Sequence, residues 1–180
     1  MRYSLRRLVL SGLACCALSI ALPTTAAPSI QTAFSPERDA LQLVLSTIGS
    51  ARESIRLMGY SFTSPEVVRA LVDAHRRGVD VKIVLDEKGN RKKSSLAAMN
   101  LVAGAGIPLR INDRYAIMHD KVIIVDGHTV ETGSFNYTRA GARTNSENVL
   151  VIRDMPEVAS AYFAHWLSRW TQGVDWKPEY

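Results

Sequence analysis

The sequence predicts an α/β fold, a mixed β-sheet covered by helices. Two observations carry this prediction. Runs rich in β-branched residues alternate with segments whose apolar residues recur at helical spacing. In the middle of the chain, two such runs flank Asp126-Gly127-His128, a hairpin signal that requires an antiparallel pair.

Each element follows from its own signals. Ser35 reads as an N-cap with Pro36 at the first helical position, and Leu41, Val44, Leu45 and Ile48 then share one helical face. Ile55 to Phe62 reads as a strand. Ser64-Pro65 repeats the helix-start signal, Val68, Leu71 and Val72 form its apolar face, and Gly78 ends it. Residues 79–86 read as a second strand. A loop holding Arg91, Lys92 and Lys93 leads to a short helix over about 94–103, and Ile107 to Ile111 reads as a third strand. The hairpin strands are 122–125 and 129–132, a further strand covers 148–153, and Pro156 opens a last helix reaching about Trp170.

The first residues stand apart. Arg2, Arg6 and Arg7 precede an apolar run from Leu8 to Leu22, followed by small residues around Ala26-Ala27. That is the pattern of a secretory leader, expected over 1–27, with residues 28–180 forming one domain that works in the periplasm or outside the cell. The run is shorter than the ~20 residues of a spanning helix, so no stable membrane association is expected after cleavage. Both cysteines, Cys15 and Cys16, leave with the leader, which excludes a disulfide, a thiolate nucleophile or a cysteine metal site from the mature chain. Without its three arginines the balance is 19 basic against 17 acidic residues (22 − 3 against 17), a net of +2 rather than +5. Global charge therefore says little about partners.

The chemistry concentrates in HDKVIIVDG, residues 119–127. If the strand begins near Met118, His119 and Lys121 project to one side. A histidine exchanges protons or attacks phosphorus near neutral pH, its unperturbed pKa being about 6.5. A lysine beside it suits an anionic substrate. Beyond the hairpin, Gly133 allows a close backbone approach, and Ser134 and Asn136 are polar groups with the same spacing at a strand end. Glu147 precedes the next strand, where a carboxylate can hold a histidine Nδ1–H. Each of these has an ordinary structural explanation; their coincidence at adjacent strand ends is what points to a site.

This set resembles the H-x-K-x4-D motif of the phospholipase D superfamily, with its following Gly-Ser-x-Asn at 133–136 and Glu-Asn at 147–148. The mature chain as a whole is similar to the small bacterial periplasmic endonucleases with one motif per chain. The resemblance implies the phospholipase D-like fold, with helices on both faces of the sheet, and a metal-independent phosphodiesterase without cofactor. It assigns His119 as the nucleophile that forms a phosphohistidine, Lys121 and Asn136 as clamps on the non-bridging oxygens, Ser134 as their aid, and Glu147 as the group orienting the histidine. Asp126 and Gly133 are expected to be structural. The mechanism needs a second histidine, and His75, His128 and His165 lack the motif. The expectation is therefore a homodimer whose two motifs meet at the two-fold interface.

The motif alone does not choose the substrate. Arg91-Lys92-Lys93, Arg110 with Arg114, and Arg139 with Arg143 favour nucleic acid, DNA first and RNA as the alternative, with Arg139 and Arg143 at the border of the site. Tyr115 and Tyr137 are available to stack on bases. The competing readings are a phospholipase D or phosphatidyl-transfer enzyme acting on lipid, and a non-catalytic nucleic-acid-binding module.

Overall fold

The computed structural model describes residues 27–37 and 39–178, so the expected leader lies outside the described residues but for its last position. Strands β1 (Ser29–Ser35), β2 (Ser54–Gly59), β3 (Asp80–Asp86), β4 (Leu109–Asn112), β5 (Lys121–Val125), β6 (Thr129–Gly133), β7 (Glu147–Arg153) and β8 (Val174–Asp175) form one sheet. Their order is β1-β7-β6-β5-β2-β3-β4-β8. The pairs β2–β3 and β3–β4 are parallel and the others antiparallel, so the expected mixed sheet is present.

Alternation along the strands sends apolar side chains to both faces. Ile55, Leu57, Val81, Ile83, Leu85, Ile123, Val125, Val149 and Val151 pack on the larger core under α1 (Asp39–Ser50), α2 (Pro65–Arg76) and α3 (Lys93–Gly104). Met58, Val84, Val122, Ile124 and Val130 face the other way, under α5 (Pro156–Gln172). Trp166 anchors that helix: it is buried, and its Nε1–H donates to the Leu57 carbonyl at 3.0 Å, which satisfies the one polar atom of a large apolar group. None of the described helices is long and apolar enough to cross a membrane.

Several sequence expectations change. Ser35 does not cap a helix. It ends β1, and its hydroxyl donates to the Gly141 carbonyl at 2.6 Å, while α1 begins at Asp39. Strand β1 itself was hidden because its burial is inverted: Ile30 and Phe34 are exposed, whereas Ala33 and Ser35 face inward. The strand from Ile55 stops at Gly59 rather than Phe62. The short helix α4 (Arg139–Arg143) and the two-residue β8 have too little periodicity to read from sequence.

Candidate active site

The C-terminal ends of β2, β3 and β6 and the N-terminal ends of β5 and β7 lie at one end of the sheet. The register fixes this, since Gly59 pairs with Lys121 and Gly133 with Val149. Lys121 opens β5 on the same parity as Ile123 and Val125, so its side chain turns toward the larger core and is 5% exposed. Its Nζ donates to the His119 carbonyl at 2.9 Å and lies 5.4 Å from the Tyr60 ring centroid. An ammonium has three protons, so donors remain for a ligand. Burial pushes the Lys121 pKa below its ordinary value, against Glu147 and Asp120, which hold it up.

His119 is not in the strand. It belongs to the extended approach before Lys121, and its ring packs on Tyr60 with centroids 4.7 Å apart and an interplanar angle of 57°. The approach is pinned from β3. The buried carboxylate of Asp86 accepts the Met118 N–H through Oδ2 and the Gly89 N–H through Oδ1, both at 2.6 Å. Lys88 Nζ donates to the Ala116 carbonyl at 2.9 Å. Asn90, also buried, accepts the Phe62 N–H and donates to the carbonyls of Tyr60 and Asp86. The position of His119 is thus set by a network of charge-assisted and backbone bonds at the end of β3.

On the other side, Ser134 donates its hydroxyl proton to Glu147 Oε2 at 2.6 Å and accepts the Asn148 N–H at 3.0 Å. Asn145 Nδ2 donates to Glu147 Oε1 at 2.9 Å. Within the chain Glu147 is therefore held by Ser134 and Asn145 and makes no bond to the ring of its own His119. Gly133 is required here: a Cβ would lie 2.3 Å from the Asn148 carbonyl oxygen, and φ is +153°. Asn136 lies in the same end-of-sheet cleft, its Oδ1 buried without a partner. Arg139 lines that cleft beside it. Arg143 sits at the far end of α4 and pairs with Glu66 at 3.4 Å. Of the other basic groups, Arg91 pairs with Glu87 at 2.7 Å and Arg110 with Asp175 at 2.7 Å.

Asp126 is at the opposite end of β5, roughly 17 Å along the strand at about 3.3 Å per residue. Its carboxylate accepts the N–H groups of Arg52, Glu53 and Ser54 at 2.8–2.9 Å, tying the hairpin to the start of β2. Asp126 and Gly127 both have positive φ, 52° and 71°, at the first two positions of the three-residue turn 126–128 that joins Val125 to its partner Thr129.

Tyr137 is corrected. It is fully buried, with its hydroxyl donating to Glu131 at 2.8 Å, so it has no face to offer a base. Tyr115 is also engaged, by Gln172 at its hydroxyl and by Arg169 over its ring. Reading the sequence missed Tyr60, Asp86 and Asn90, which hold the His119 approach. Asp86 carried a usable signal, an acid ending an apolar strand; Tyr60 and Asn90 carried none. His165, set aside because it lacks the motif, has its Nε2 3.1 Å from Asp120 Oδ1.

Residues 44–170 match the family described as cardiolipin synthase, PLD-like domain. The chain belongs to the phospholipase D superfamily. A phospholipase D of Rickettsia bellii is 40% identical over 140 residues, 78% of this chain and 68% of that protein. The structure of Nuc from Salmonella typhimurium, a phospholipase D family member, is 56% identical, with a TM-score of 0.83 over 84% of this chain and 99% of that one. NucT from Helicobacter pylori is 27% identical, with a TM-score of 0.73 over 83% and 100% of the two chains. The α/β sheet described above is thus the phospholipase D-like fold. As a superfamily member the protein is a phosphodiesterase, a hydrolase of phosphodiester bonds.

Proposed function

We propose that this phosphodiesterase is an endonuclease that cleaves DNA or RNA through a covalent phosphohistidine at a site shared by two copies of the chain. The observation that carries the reading is the cleft at Asn136, walled by Lys88, Lys92 and Arg139 and adjoining the His119–Lys121 pair through Tyr60. Such a wall favours a polyanion over an acyl chain. The names Nuc and NucT of two structural relatives point the same way.

In this reading His119 Nε2 attacks phosphorus, a P–N bond forms and the P–O ester bond breaks. The leaving oxygen takes a proton from His119 of the partner subunit. That histidine then removes a proton from water, the water oxygen adds to phosphorus, and the P–N bond breaks. Lys121 and Asn136 hold the non-bridging oxygens as charge develops. Ser134 acts through Glu147, whose proton-accepting oxygens steady a histidine of the pair. Because Glu147 makes no bond to its own His119, the ring it orients would be the one facing it across the two-fold. Ile117, two residues before His119 and 48% exposed, gives that interface an apolar lip. Arg139 draws the nucleic acid backbone toward the cleft. Arg143 reaches it only by exchanging Glu66 for phosphate. The leader places this activity in the periplasm or outside the cell.

A lipid substrate is the second reading, favoured by the Rickettsia bellii relative named phospholipase D and by the cardiolipin synthase description of the family. One experiment separates the two. Purified protein and His119→Ala are incubated with plasmid DNA, RNA and phospholipid vesicles in excess EDTA. The expected result is DNA or RNA cleavage that survives EDTA and drops by at least about 10⁴-fold in the variant. Lipid turnover without nucleic acid cleavage refutes the nuclease reading, and full activity sedimenting at the monomer mass refutes the shared site.

A further inference from the structure

We infer that the cleft between Tyr60 and the start of α3 is a second anion subsite, which takes the backbone phosphate adjoining the one being cleaved. The inference rests on the nuclease reading and says how the substrate is held.

The cleft has a volume of about 410 Å³, and Lys88, Lys92, Ser94, Ser95, Asn136 and Arg139 line it; none of its lining residues is acidic. It adjoins the His119–Lys121 pair at Asn136 and at Tyr60, whose ring also meets the His119 ring and the Lys121 ammonium. A phosphate here is therefore next to the scissile one, not at a remote surface.

Helix α3 starts at the cleft without a side-chain cap, its Ser95 and Leu96 N–H groups donating only to the Lys92 carbonyl. Its N-cap is Lys92, whose side chain makes no capping bond, and no acid occupies its first turn. Helix starts usually place Ser, Thr, Asp or Asn there. Within this chain α2 follows that habit, with Ser64 accepting from Val67 and Glu66 in its first turn. Lysines at the positive end of a helix are unfavourable in the free protein, and become favourable once an anion sits between them and the amides.

A basic helix end alone would not make a site. The deciding group is Ser95, in the first turn of α3. It is 1% exposed, lines the cleft, and its Oγ has no hydrogen-bond partner. A hydroxyl this buried nearly always has a partner. Here a phosphate oxygen in the cleft would supply it. Lys88 gives one proton to the Ala116 carbonyl and keeps the others. Arg139 closes the opposite wall. Arg91 is excluded by its pairing with Glu87, which explains why only part of the basic run faces the ligand.

The lining distinguishes polymer from lipid. Its side chains are mostly cations, hydroxyls and the Asn136 amide, and Ala140 is the one aliphatic side chain among them, so there is no aliphatic wall for an acyl chain. A nucleic acid presents a phosphate on each side of the one cleaved; a lipid with one diester has none to spare. Cardiolipin has two phosphates and is the lipid the test must include.

The test compares chromogenic esters in EDTA: the 3′- and 5′-p-nitrophenyl phosphates of thymidine, each with one phosphate, and the matching dinucleotide esters, which carry one more phosphate on the 5′ side in the first series and on the 3′ side in the second. In the wild-type protein one of the dinucleotide esters should have a kcat/KM about tenfold higher, the worth of one charge-assisted contact. In Lys92→Gln and in Ser95→Ala the ratio should fall toward one. Binding of a fluorescent single-stranded 12-mer to Lys92→Gln should show a salt slope shallower by about 0.7. Ser95→Ala removes no charge, so a merely structural Ser95 would leave the ratio intact. An unchanged ratio in both variants, or no gain from the extra phosphate in wild type, overturns the subsite while the nuclease stands. Inertness on every nucleotide ester with turnover of cardiolipin vesicles overturns both.

Discussion

Glu131 sits on β6 between Ile123 and Val151, facing the larger core, and is fully buried. Tyr137 donates to its Oε2, and Oε1 has no partner. Burial raises its pKa from the ordinary 4.5 to about 8, a rise only partly opposed by the tyrosine hydroxyl. The folded chain therefore holds this proton through neutrality, whereas the unfolded chain releases it near 4.5. Stability from this group is complete below the unfolded value and is lost as pH rises through the folded one. At about 1.4 kcal/mol per unit, the span from 4.5 to about 8 amounts to roughly 5 kcal/mol. Glu131→Gln keeps the shape and the acceptor for Tyr137 but removes the titration. Urea midpoints of both proteins at pH 5 to 9 isolate the effect, because other titrating groups cancel in the difference. The variant should gain on the wild type by about 1.4 kcal/mol per unit between pH 5 and 8, then level off. Parallel curves over this range would refute the argument. The stakes extend to the site, since Tyr137 follows Asn136 and its carbonyl accepts the N–H groups of Thr63 and Ser64 at 2.9 Å.

Two further perturbations separate scaffold from chemistry. Asp126→Ala removes the acceptor of three backbone N–H groups at a half-buried position, and should lower stability by about 2–4 kcal/mol in urea titration while leaving kcat unchanged, the site being at the other end of the sheet. Burial works against this carboxylate, but the three backbone bonds hold its pKa below the ordinary value, so its contribution is present at neutral pH and is lost only as pH falls through that depressed value. Gly89→Ala would bring a Cβ within 2.1 Å of the Tyr60 carbonyl oxygen, and the backbone under the His119 ring would have to move. Steady-state kinetics should show kcat down by roughly 100-fold; wild-type turnover in the folded variant would show that Tyr60 does not position the nucleophile.

The legible part of this protein is where one residue type answers one requirement. Val-Ile-Ile-Val could only be a core strand, Asp126-Gly127 could only be its turn, and Ser64-Pro65 starts α2 as expected. His119, Lys121, Asn136 and Glu147 stand out as candidates because their identities are chemical and their spacing is local to the chain. What stayed hidden depends on contacts between distant segments. Asp86 reaches Met118, Asn90 reaches Tyr60 and Phe62, and Ser35 reaches Gly141; none of these pairs has a local signature. Glu131 was hidden for another reason: it alternates with Val130, so strand parity alone reads it as solvent-facing, and it lies inside only because both faces of the sheet are covered. The inverted burial of β1 was not legible at all, because Ile30 and Phe34 advertise the wrong face.

The positions of the four histidines bear on where the second proton-transfer group comes from. His128 is in the β5–β6 turn, at the Asp126 end of the sheet, and pairs with Asp154 at 3.1 Å. His75 is near the C-terminus of α2, where its Nε2 faces the α3–β4 turn at Gly106, again away from the site. His165 comes nearer in space but from the wrong side. It pairs with Asp120, which lies between His119 and Lys121 and is directed to α5, the face opposite the one Lys121 takes. Strand geometry sets these directions, and no side-chain rotation exchanges them. Each of the other three histidines is thus separated from the His119–Lys121 pair by the length or the thickness of the sheet. A phosphohistidine mechanism needs a proton donor on the far side of the phosphorus from the nucleophile. The proposed homodimer would answer that requirement, with His119 of the partner subunit brought opposite by a two-fold axis through the open end of the sheet.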